Sequence, residues 1–144
     1  MTWCPHVTVA TVVEQDGRFL LVEEHAGDEL VFNQPAGHLD PDESLLEAAV
    51  RETLEETGYR IELTGYCGVT LYTAPSNGVT YVRHTFAGRV IEQLANAQLD
   101  DGIVGPAWLS RDEVANCNRL RSPIVLTTID QYLNHPNLPL SACY

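Results

Sequence analysis

Residues 37–59 read GHLDPDESLLEAAVRETLEETGY and contain the clearest helix pattern in the chain. Asp40 is a suitable N-cap, Pro41 suits the first helical position, and Glu43 stands where a capping box places its acidic residue. Gly58 suits the C-terminal end, because glycine adopts the left-handed conformation of a helix cap at little cost. The pattern therefore predicts a helix between Asp40 and Gly58. Its packing face is predicted to consist of Leu46, Ala49, Val50 and Thr53.

This helix carries a cluster of carboxylates. Glu52 and Glu56 stand at i, i+4, where like charges repel by roughly 0.2–0.5 kcal/mol, and Glu55 lies between them. In one interpretation the glutamates are solvated surface residues, supported by pairs of Arg51 with Glu47 and Glu55. In the other they bind a divalent cation, which relieves the repulsion and takes carboxylate oxygens as ligands. No histidine lies at ligand spacing on this helix, which favours Mg²⁺ or Mn²⁺ over Zn²⁺.

The wider context favours the cation site, because the stretch resembles the signature of the Nudix hydrolases. That signature combines a glycine, a glutamate, an Arg-Glu pair, a Glu-Glu pair and a second glycine at fixed spacings. Residues 37–59 form the corresponding box, and the matching residues are Gly37, Glu43, Arg51, Glu52, Glu55, Glu56 and Gly58. Thr53 and Tyr59 replace aliphatic residues of the signature at positions that pack rather than coordinate, so these departures affect packing and not chemistry.

The resemblance implies hydrolysis of a nucleoside diphosphate linked to another group, with Mg²⁺ as the cofactor and Mn²⁺ as a substitute. Divalent cations offset the charge that builds on phosphate oxygens and orient the attacking water. The implied metal ligands are the carbonyl of Ala36, presented by a tight turn at Ala36-Gly37, and the carboxylates of Glu52, Glu55 and Glu56. The implied catalytic residues are Glu43, Arg51, Glu52 and Glu55. Glu43 and Arg51 resemble an orienting pair that holds loop and helix in register, and one glutamate of the box is expected to be the general base.

The remaining sequence predicts strands before and after the box and helices near the end. An Asp-Gly pair at Asp16-Gly17 is typical of a hairpin turn between two β-rich runs. The other predicted elements are extended segments at 30–38, 60–75, 79–94 and 105–110, a helix capped by Ser110 and Glu113, and a final helix entered through Ser122 and Pro123. Residues 135–144 are rich in proline and predicted to be irregular. This order favours one α/β (α+β) domain over residues 1–144, with a mixed β-sheet between helices. The resemblance implies that this domain has the Nudix fold.

Composition limits the classes of function. The chain has 144 residues, which suits one domain, and a net charge of −12, which disfavours binding to a nucleic acid polymer. A small phosphorylated ligand remains compatible if divalent cations mediate the contact. No apolar run approaches the ~20 residues of a membrane span, and the N-terminus lacks the pattern of a signal peptide. With four scattered cysteines, these features predict a cytoplasmic protein with reduced thiols and no membrane partner, either a monomer or a homodimer.

Several residues outside the box are predicted to bind substrate. These are Phe32, Gln34, Tyr72 and Arg121. Arg121 precedes a helix N-terminus and suits a phosphate, although an ion pair near the cap is an equal alternative. Phe32 and Tyr72 offer faces for stacking a heterocycle, or they pack in the protein. His38 adjoins the implied metal ligands, Arg83 and His84 lie on a strand that faces either the cleft or the core, and Trp108 is assigned to the core.

Three short motifs narrow the resemblance. PHVTVA (5–10), NQPAGHL (33–39) and LRSP (120–123) resemble the NudJ group of bacterial phosphatases within the family. This group implies stepwise release of orthophosphate from nucleoside tri- and diphosphates and from the thiamin pyrimidine pyrophosphate, 4-amino-5-hydroxymethyl-2-methylpyrimidine diphosphate. One alternative is a Nudix pyrophosphatase for ADP-ribose or oxidised dGTP. Another is a non-catalytic, nucleotide-sensing Nudix module, which the intact box disfavours because degenerate modules usually lose its carboxylates.

Overall fold

The computed structural model describes residues 2–144, which form a mixed sheet with helices on both faces. The strands are β1 (His6–Gln15), β2 (Arg18–Ala26), β3 (Glu29–Asn33), β4 (Ala36–His38), β5 (Tyr59–Thr73), β6 (Thr80–Gln93) and β7 (Ile103–Ser110). The helices are α1 (Leu45–Thr57), α2 (Arg111–Ala115) and α3 (Ile124–Asn134), and a 3₁₀ turn covers Leu140–Ala142.

The sheet has one parallel contact in an otherwise antiparallel arrangement. Its order is β3-β2-β1-β6-β5, while β4 pairs with β1 and β7 pairs with β2. β1 and β6 run parallel from the His6–Tyr81 pair to the Val13–Gly88 pair. The other pairs are antiparallel. This topology confirms the predicted mixed sheet between helices.

β1 is the strand that both helical layers share. Val12 packs with Val125 and Ile129 of α3 on one face of the sheet. Val9 packs with Ala49 of α1 on the opposite face, as expected because side chains alternate along a strand. A strand buried on both faces reads as a nearly continuous apolar run, which is what β1 shows. The position of α1 relative to α3 is therefore fixed through β1.

The start of α1 differs from the prediction. The N-cap is Ser44, whose hydroxyl accepts from the N–H of Glu47 at 3.1 Å while Glu47 accepts from the Ser44 N–H at 3.2 Å. Two capping-box patterns overlap in the sequence, and the second one forms the cap. Of the first pattern, Asp40 with Glu43, only the hydrogen bond from the Asp40 N–H to the Glu43 side chain forms. No helix starts there, because the backbone departs from helical geometry at Asp42, where φ is 64°. The glutamate at position 43 is thereby left outside the helix.

Other predicted ends and turns are confirmed. Gly58 terminates α1 with φ of 76°, and its N–H donates to the Leu54 carbonyl. Asp16 and Gly17 both have positive φ, as a two-residue hairpin requires. The predicted capping box of Ser110 and Glu113 begins α2.

The C-terminal segment is more ordered than predicted. Leu138 exchanges two backbone hydrogen bonds with Tyr66 of β5, each 2.8 Å long. The following 3₁₀ turn places Leu140 and Cys143 against the core cluster that includes Phe86. Leu140 and Cys143, which follow the last proline of the segment, supply this packing. Within residues 2–144, the helices are all too short or too polar to span a bilayer.

A buried pair of threonines joins β1 to α1. The Thr53 hydroxyl donates to the Ala49 carbonyl at 2.8 Å and lies 2.8 Å from the Thr11 hydroxyl. Because a hydroxyl has one proton, Thr11 is the donor of the second bond. The aliphatic residue that the family signature expects at position 53 would leave Thr11 without this partner.

We expect unequal effects from valine at the two positions. Thr53→Val leaves the Thr11 hydroxyl buried and unpaired, and should lower the free energy of unfolding by about 1–3 kcal/mol in urea denaturation. Thr11→Val should cost less, because Thr53 keeps its bond to Ala49. The double variant should recover most of the loss caused by Thr53→Val. Equal and additive losses would contradict the assigned bond.

Candidate active site

Arg51 of α1 connects the helix to the segment before it. Its ion-pair partners are Asp40, Glu43, Glu52 and Glu55. Nε and Nη2 donate to the two carboxylate oxygens of Glu43 at 2.6 and 2.9 Å, and Nη2 also donates to the His38 carbonyl at 3.0 Å. These bonds from Arg51 lower the pKa of the Glu43 carboxyl. The structure thus brings the predicted orienting pair into contact, whereas Glu47 completes the helix cap instead of pairing with Arg51.

Gly37 allows the backbone of β4 to approach the carboxylate of Glu52. A Cβ atom at residue 37 would lie 2.1 Å from Cδ of Glu52 and 2.3 Å from each carboxylate oxygen. Gly37 pairs with Val9 in an antiparallel ladder, so the prediction of a tight turn at Ala36-Gly37 is wrong. Glycine is needed here for close approach and not for an unusual backbone angle.

Glu56 is the most buried carboxylate of the cluster. Its side chain accepts a hydrogen bond from the Ala36 N–H at 2.8 Å. Burial raises the pKa of the Glu56 carboxyl to about 8, and the negative charges of Glu24, Glu52 and Asp100 add to the shift. Burial also raises the pKa of Glu52, against the opposing effect of Arg51. Both ionised carboxylates would therefore be stabilised by a nearby positive charge.

Asp100 joins the acidic cluster from outside the box. Glu52, Glu55 and Asp100 offer carboxylate oxygens within 4.8 Å of one another. Asp100 lies between β6 and β7, and its N–H donates to the Glu55 carbonyl at 3.1 Å. No sequence signal marked this residue, because it stands far from the box in an ordinary acidic pair. An all-carboxylate set fits a hard divalent cation such as Mg²⁺, for which oxygen is the preferred ligand.

A cavity of about 750 Å³ lies beside the acidic cluster. Thr8 pairs with His38 on one side and with Arg83 on the other, so these side chains share a face of the sheet and line the cavity. The segment leading into α3 forms the opposite wall. Ala36 and Gly37 also line the cavity, so β4 contacts both the cavity and the acidic cluster. This arrangement suits a ligand that extends from the carboxylates into the cavity.

Two of the four predicted substrate residues line the cavity. Tyr72 lies on its sheet side, and Arg121 lies on the side of the α3 segment. Arg121 donates to Glu24 at 2.8 Å, so the ion pair that the sequence left open is present. The side chain of Arg121 is about half exposed, which leaves it accessible to a ligand.

The other two predicted residues lie behind the cavity wall. Phe32 packs against the core beside α3, and the Arg119 guanidinium sits 4.7 Å from its ring centroid. Gln34 is 1% exposed, and its side-chain amide donates to the Val125 carbonyl at 2.8 Å. Its oxygen accepts from Arg83 at 2.8 Å. The structure therefore places neither side chain in the cavity lining: Phe32 packs beside α3, and Gln34 orients Arg83.

His38, His84 and Trp108 lie in three different surroundings. His38 lines the cavity, and its Nε2 lies 3.0 Å from Nδ1 of His6. His84 is not part of the cavity lining, and its ring hydrogen-bonds the Tyr66 hydroxyl at 2.8 Å. Trp108 packs in the core as expected, with its indole N–H donating to the Tyr59 hydroxyl.

Known proteins are similar to this chain in sequence and in fold. The model of the NUDIX domain matches residues 4–127. A protein of Escherichia coli strain K12 described as phosphatase NudJ is 39% identical over 137 residues, which are 94% of this chain and 88% of that protein. A solved NUDIX hydrolase from Nitrosomonas europaea is 44% identical with a TM-score of 0.94, covering 98% of this chain and 97% of that one. An ADP-ribose pyrophosphatase from Streptococcus suis shares the fold at 17% identity and a TM-score of 0.70, covering 94% and 96% of the two chains.

The raised pKa of Glu56 predicts a pH-dependent stability for the metal-free protein. A carboxyl whose pKa rises from 4.5 to about 8 on folding favours the folded state at low pH, and this contribution is lost as pH rises from about 4.5 through 8. Between pH 5 and 8.5 in EDTA, the Tm of Glu56→Gln should therefore fall less than that of the unsubstituted protein. Mg²⁺ should raise the Tm of the latter more at pH 8.5 than at pH 5. Identical pH profiles for both proteins would contradict the assignment.

The Gly37 contact predicts a loss of activity without a loss of fold. In Gly37→Ala the backbone is compatible with alanine, so the flexible Glu52 side chain should move away while the Tm changes little. Turnover of a phosphoric anhydride substrate should drop by roughly two orders of magnitude, the scale for removal of a charge-stabilising group. Gly65→Ala is the control, since the three atoms nearest to its added Cβ all belong to Asn137, the closest being Cβ at 2.7 Å, and its turnover should persist. Normal turnover in Gly37→Ala would show that the position of Glu52 is unimportant.

Proposed function

The chain belongs to the NUDIX family and is a hydrolase of phosphoric anhydride bonds, and we propose that it is a divalent-metal-dependent phosphatase that releases orthophosphate. Its proposed substrates are nucleoside tri- and diphosphates and 4-amino-5-hydroxymethyl-2-methylpyrimidine diphosphate. The observation that carries the proposal is the carboxylate cluster of Glu52, Glu55 and Asp100 beside a cavity large enough for a small heterocycle. The 39% identity to the phosphatase NudJ of Escherichia coli supports a phosphatase reaction, and the proposed substrates come from the resemblance of the sequence motifs to the NudJ group.

The proposed reaction breaks the terminal phosphoric anhydride bond. Water adds to the terminal phosphorus, the bridging oxygen leaves with the shortened phosphate ester, and orthophosphate is the second product. A divalent cation bound by the carboxylates would supply charge neutralisation for the phosphate oxygens. We propose Mg²⁺ for this role, with Mn²⁺ as a substitute, because the cluster contains carboxylates without histidine or cysteine. The proposed ligands are Glu52, Glu55, Glu56 and the Ala36 carbonyl, and Asp100 is added to them.

The chain's own residues divide the remaining tasks. Arg51 holds Glu52 and Glu55 through bonds of 2.8 and 3.1 Å, and it ties them to Glu43. One glutamate of α1 accepts the proton of the attacking water, and Glu52 and Glu55 are the proposed bases. Tyr72 is the proposed contact for the heterocycle, and Arg121 is the proposed contact for a phosphate at the cavity wall.

We expect the enzyme to accept a broad range of substrates, because its proposed contacts to phosphate and cation are separate from its contact to the heterocycle. Polar recognition in the proposed complex is concentrated on phosphate and cation, so the identity of the base affects binding little. The chain's net charge of −12 supports small phosphorylated molecules over nucleic acid polymers as partners. We also propose a cytoplasmic location, consistent with four cysteines that are all free thiols in the structure, and a monomer or homodimer.

We expect orthophosphate from each proposed substrate when Mg²⁺ is present. Products should be separated by chromatography after reaction with nucleoside tri- and diphosphates, the pyrimidine diphosphate, ADP-ribose and oxidised dGTP. EDTA should abolish turnover and excess Mg²⁺ or Mn²⁺ should restore it. Glu52→Gln and Glu56→Gln should each lower turnover by roughly two orders of magnitude while remaining folded.

Other products would redirect the assignment. AMP with ribose 5-phosphate would identify an ADP-ribose pyrophosphatase, and pyrophosphate from oxidised dGTP would identify a nucleotide-cleansing enzyme. Nucleotide binding without turnover would identify a sensing module. Full activity in a chelated sample would exclude the role proposed for the carboxylates.

A further inference from the structure

Arg83 is the one unpaired cation in residues 2–144. The chain has no lysine, and its eight basic residues are all arginines. Each of the other seven forms an ion pair with an aspartate or glutamate. Arg83 is also buried, with 4% of its surface exposed. A buried charge without a partner is costly, so a sequence this rich in carboxylates would be expected to provide one.

The guanidinium of Arg83 is held in one orientation with donors unused. Its Nη2 donates to the Gln34 oxygen at 2.8 Å, and the amide nitrogen of Gln34 is fixed on the Val125 carbonyl at 2.8 Å. Its Nε is buried and has no hydrogen-bond partner within residues 2–144. A neutral amide supports the guanidinium without neutralising its charge. The fork geometry therefore remains available for an anion.

The location of Arg83 indicates which kind of anion it would bind. Its side chain lines the cavity with Thr8 and His38, and it interacts electrostatically with Glu56 of the acidic cluster. Arg121, the other arginine lining the cavity, already pairs with Glu24. Burial lowers the pKa of Arg83 to about 10, so the guanidinium is still charged at neutral pH. An anion bound here would lie between the proposed metal site and the rest of the cavity.

We propose that Arg83, oriented by Gln34, binds a phosphate group of the substrate through the guanidinium donors that Gln34 leaves free. Two donors of the guanidinium match two oxygens of a phosphate, which gives both affinity and a defined orientation. The substrate class rests on the proposed function, whereas phosphate binding by Arg83 can be measured without turnover. Arg83 is then the main phosphate contact inside the cavity, and Arg121 contributes at its wall.

The test uses imidodiphosphate, a non-hydrolysable analogue of pyrophosphate, in the presence of Mg²⁺. Calorimetry should show that Arg83→Met raises the Kd for imidodiphosphate by about tenfold or more, because charge-assisted bonds are lost. Arg121→Met is the matched control and should raise the Kd for imidodiphosphate by a smaller factor. Arg83→Met removes an unpaired buried charge but also leaves the buried Gln34 oxygen without its donor, so the two effects on the Tm oppose each other and the Kd is the deciding measurement. A purely structural role for Arg83 predicts an unchanged Kd.

Two further variants keep the inference testable if Arg83→Met does not fold. Arg83→Lys keeps the charge without the fork, and Gln34→Met removes the fixed orientation, so each should raise the Kd by a smaller factor. An unchanged Kd in both variants, or no binding by the unsubstituted protein, would overturn the inference. Orthophosphate release with an unchanged kcat/KM in Arg83→Met would overturn it while leaving the proposed function intact. Arg83-dependent binding of imidodiphosphate without any turnover would support it and refute the proposed function.

Discussion

The guanidinium of Arg51 lies among carboxylates that would otherwise repel one another. It pairs with Glu43 outside the helix and with Glu52 and Glu55 on it, so a single cation joins α1 to the segment before it. Its bond to the His38 carbonyl extends the same connection to β4. Because these elements meet at one side chain, the distance between β4 and the carboxylates of α1 is set by short, charge-assisted bonds. The close approach of Gly37 to Glu52 depends on that distance.

β1 connects the elements around Arg51 to the sheet and to the cavity. One edge of the strand pairs with β4, and the other pairs with β6, which carries Arg83. The two faces of β1 pack against α1 and α3, so the acidic cluster and the cavity are both positioned from the same buried strand. A shift of β1 by one residue would turn Val9 and Val12 toward the wrong layers. The burial of those side chains therefore also fixes the register of the site.

The sequence alone predicts those structural elements that depend on residues close together in the chain. The Asp16-Gly17 hairpin, the Gly58 cap and the carboxylate face of α1 depend on residues that are adjacent or one helical turn apart. The start of α1 differs from the prediction because two capping-box patterns overlap and the backbone departs from helical geometry at Asp42, between the two candidate caps. Asp100 and the burial of Gln34 depend on chain segments far apart in sequence. Such contacts follow from sheet order, which no single motif encodes.

The charges of the site are complementary to a particular kind of ligand. On one side of β4 the carboxylates of Glu52, Glu55 and Asp100 converge, and burial makes ionised Glu56 and Glu52 unfavourable without a cation. On the cavity side Arg83 has a buried charge that forms no ion pair within residues 2–144, and its Nε has no hydrogen-bond partner there. A free phosphate would satisfy Arg83 but would be repelled by the cluster, and a free cation would do the reverse. A phosphate compound that carries a divalent cation satisfies both at once, because its cation can face the carboxylates while its phosphate faces Arg83. Recognition of the complex as a unit explains how a chain with a large negative charge can bind a polyanion.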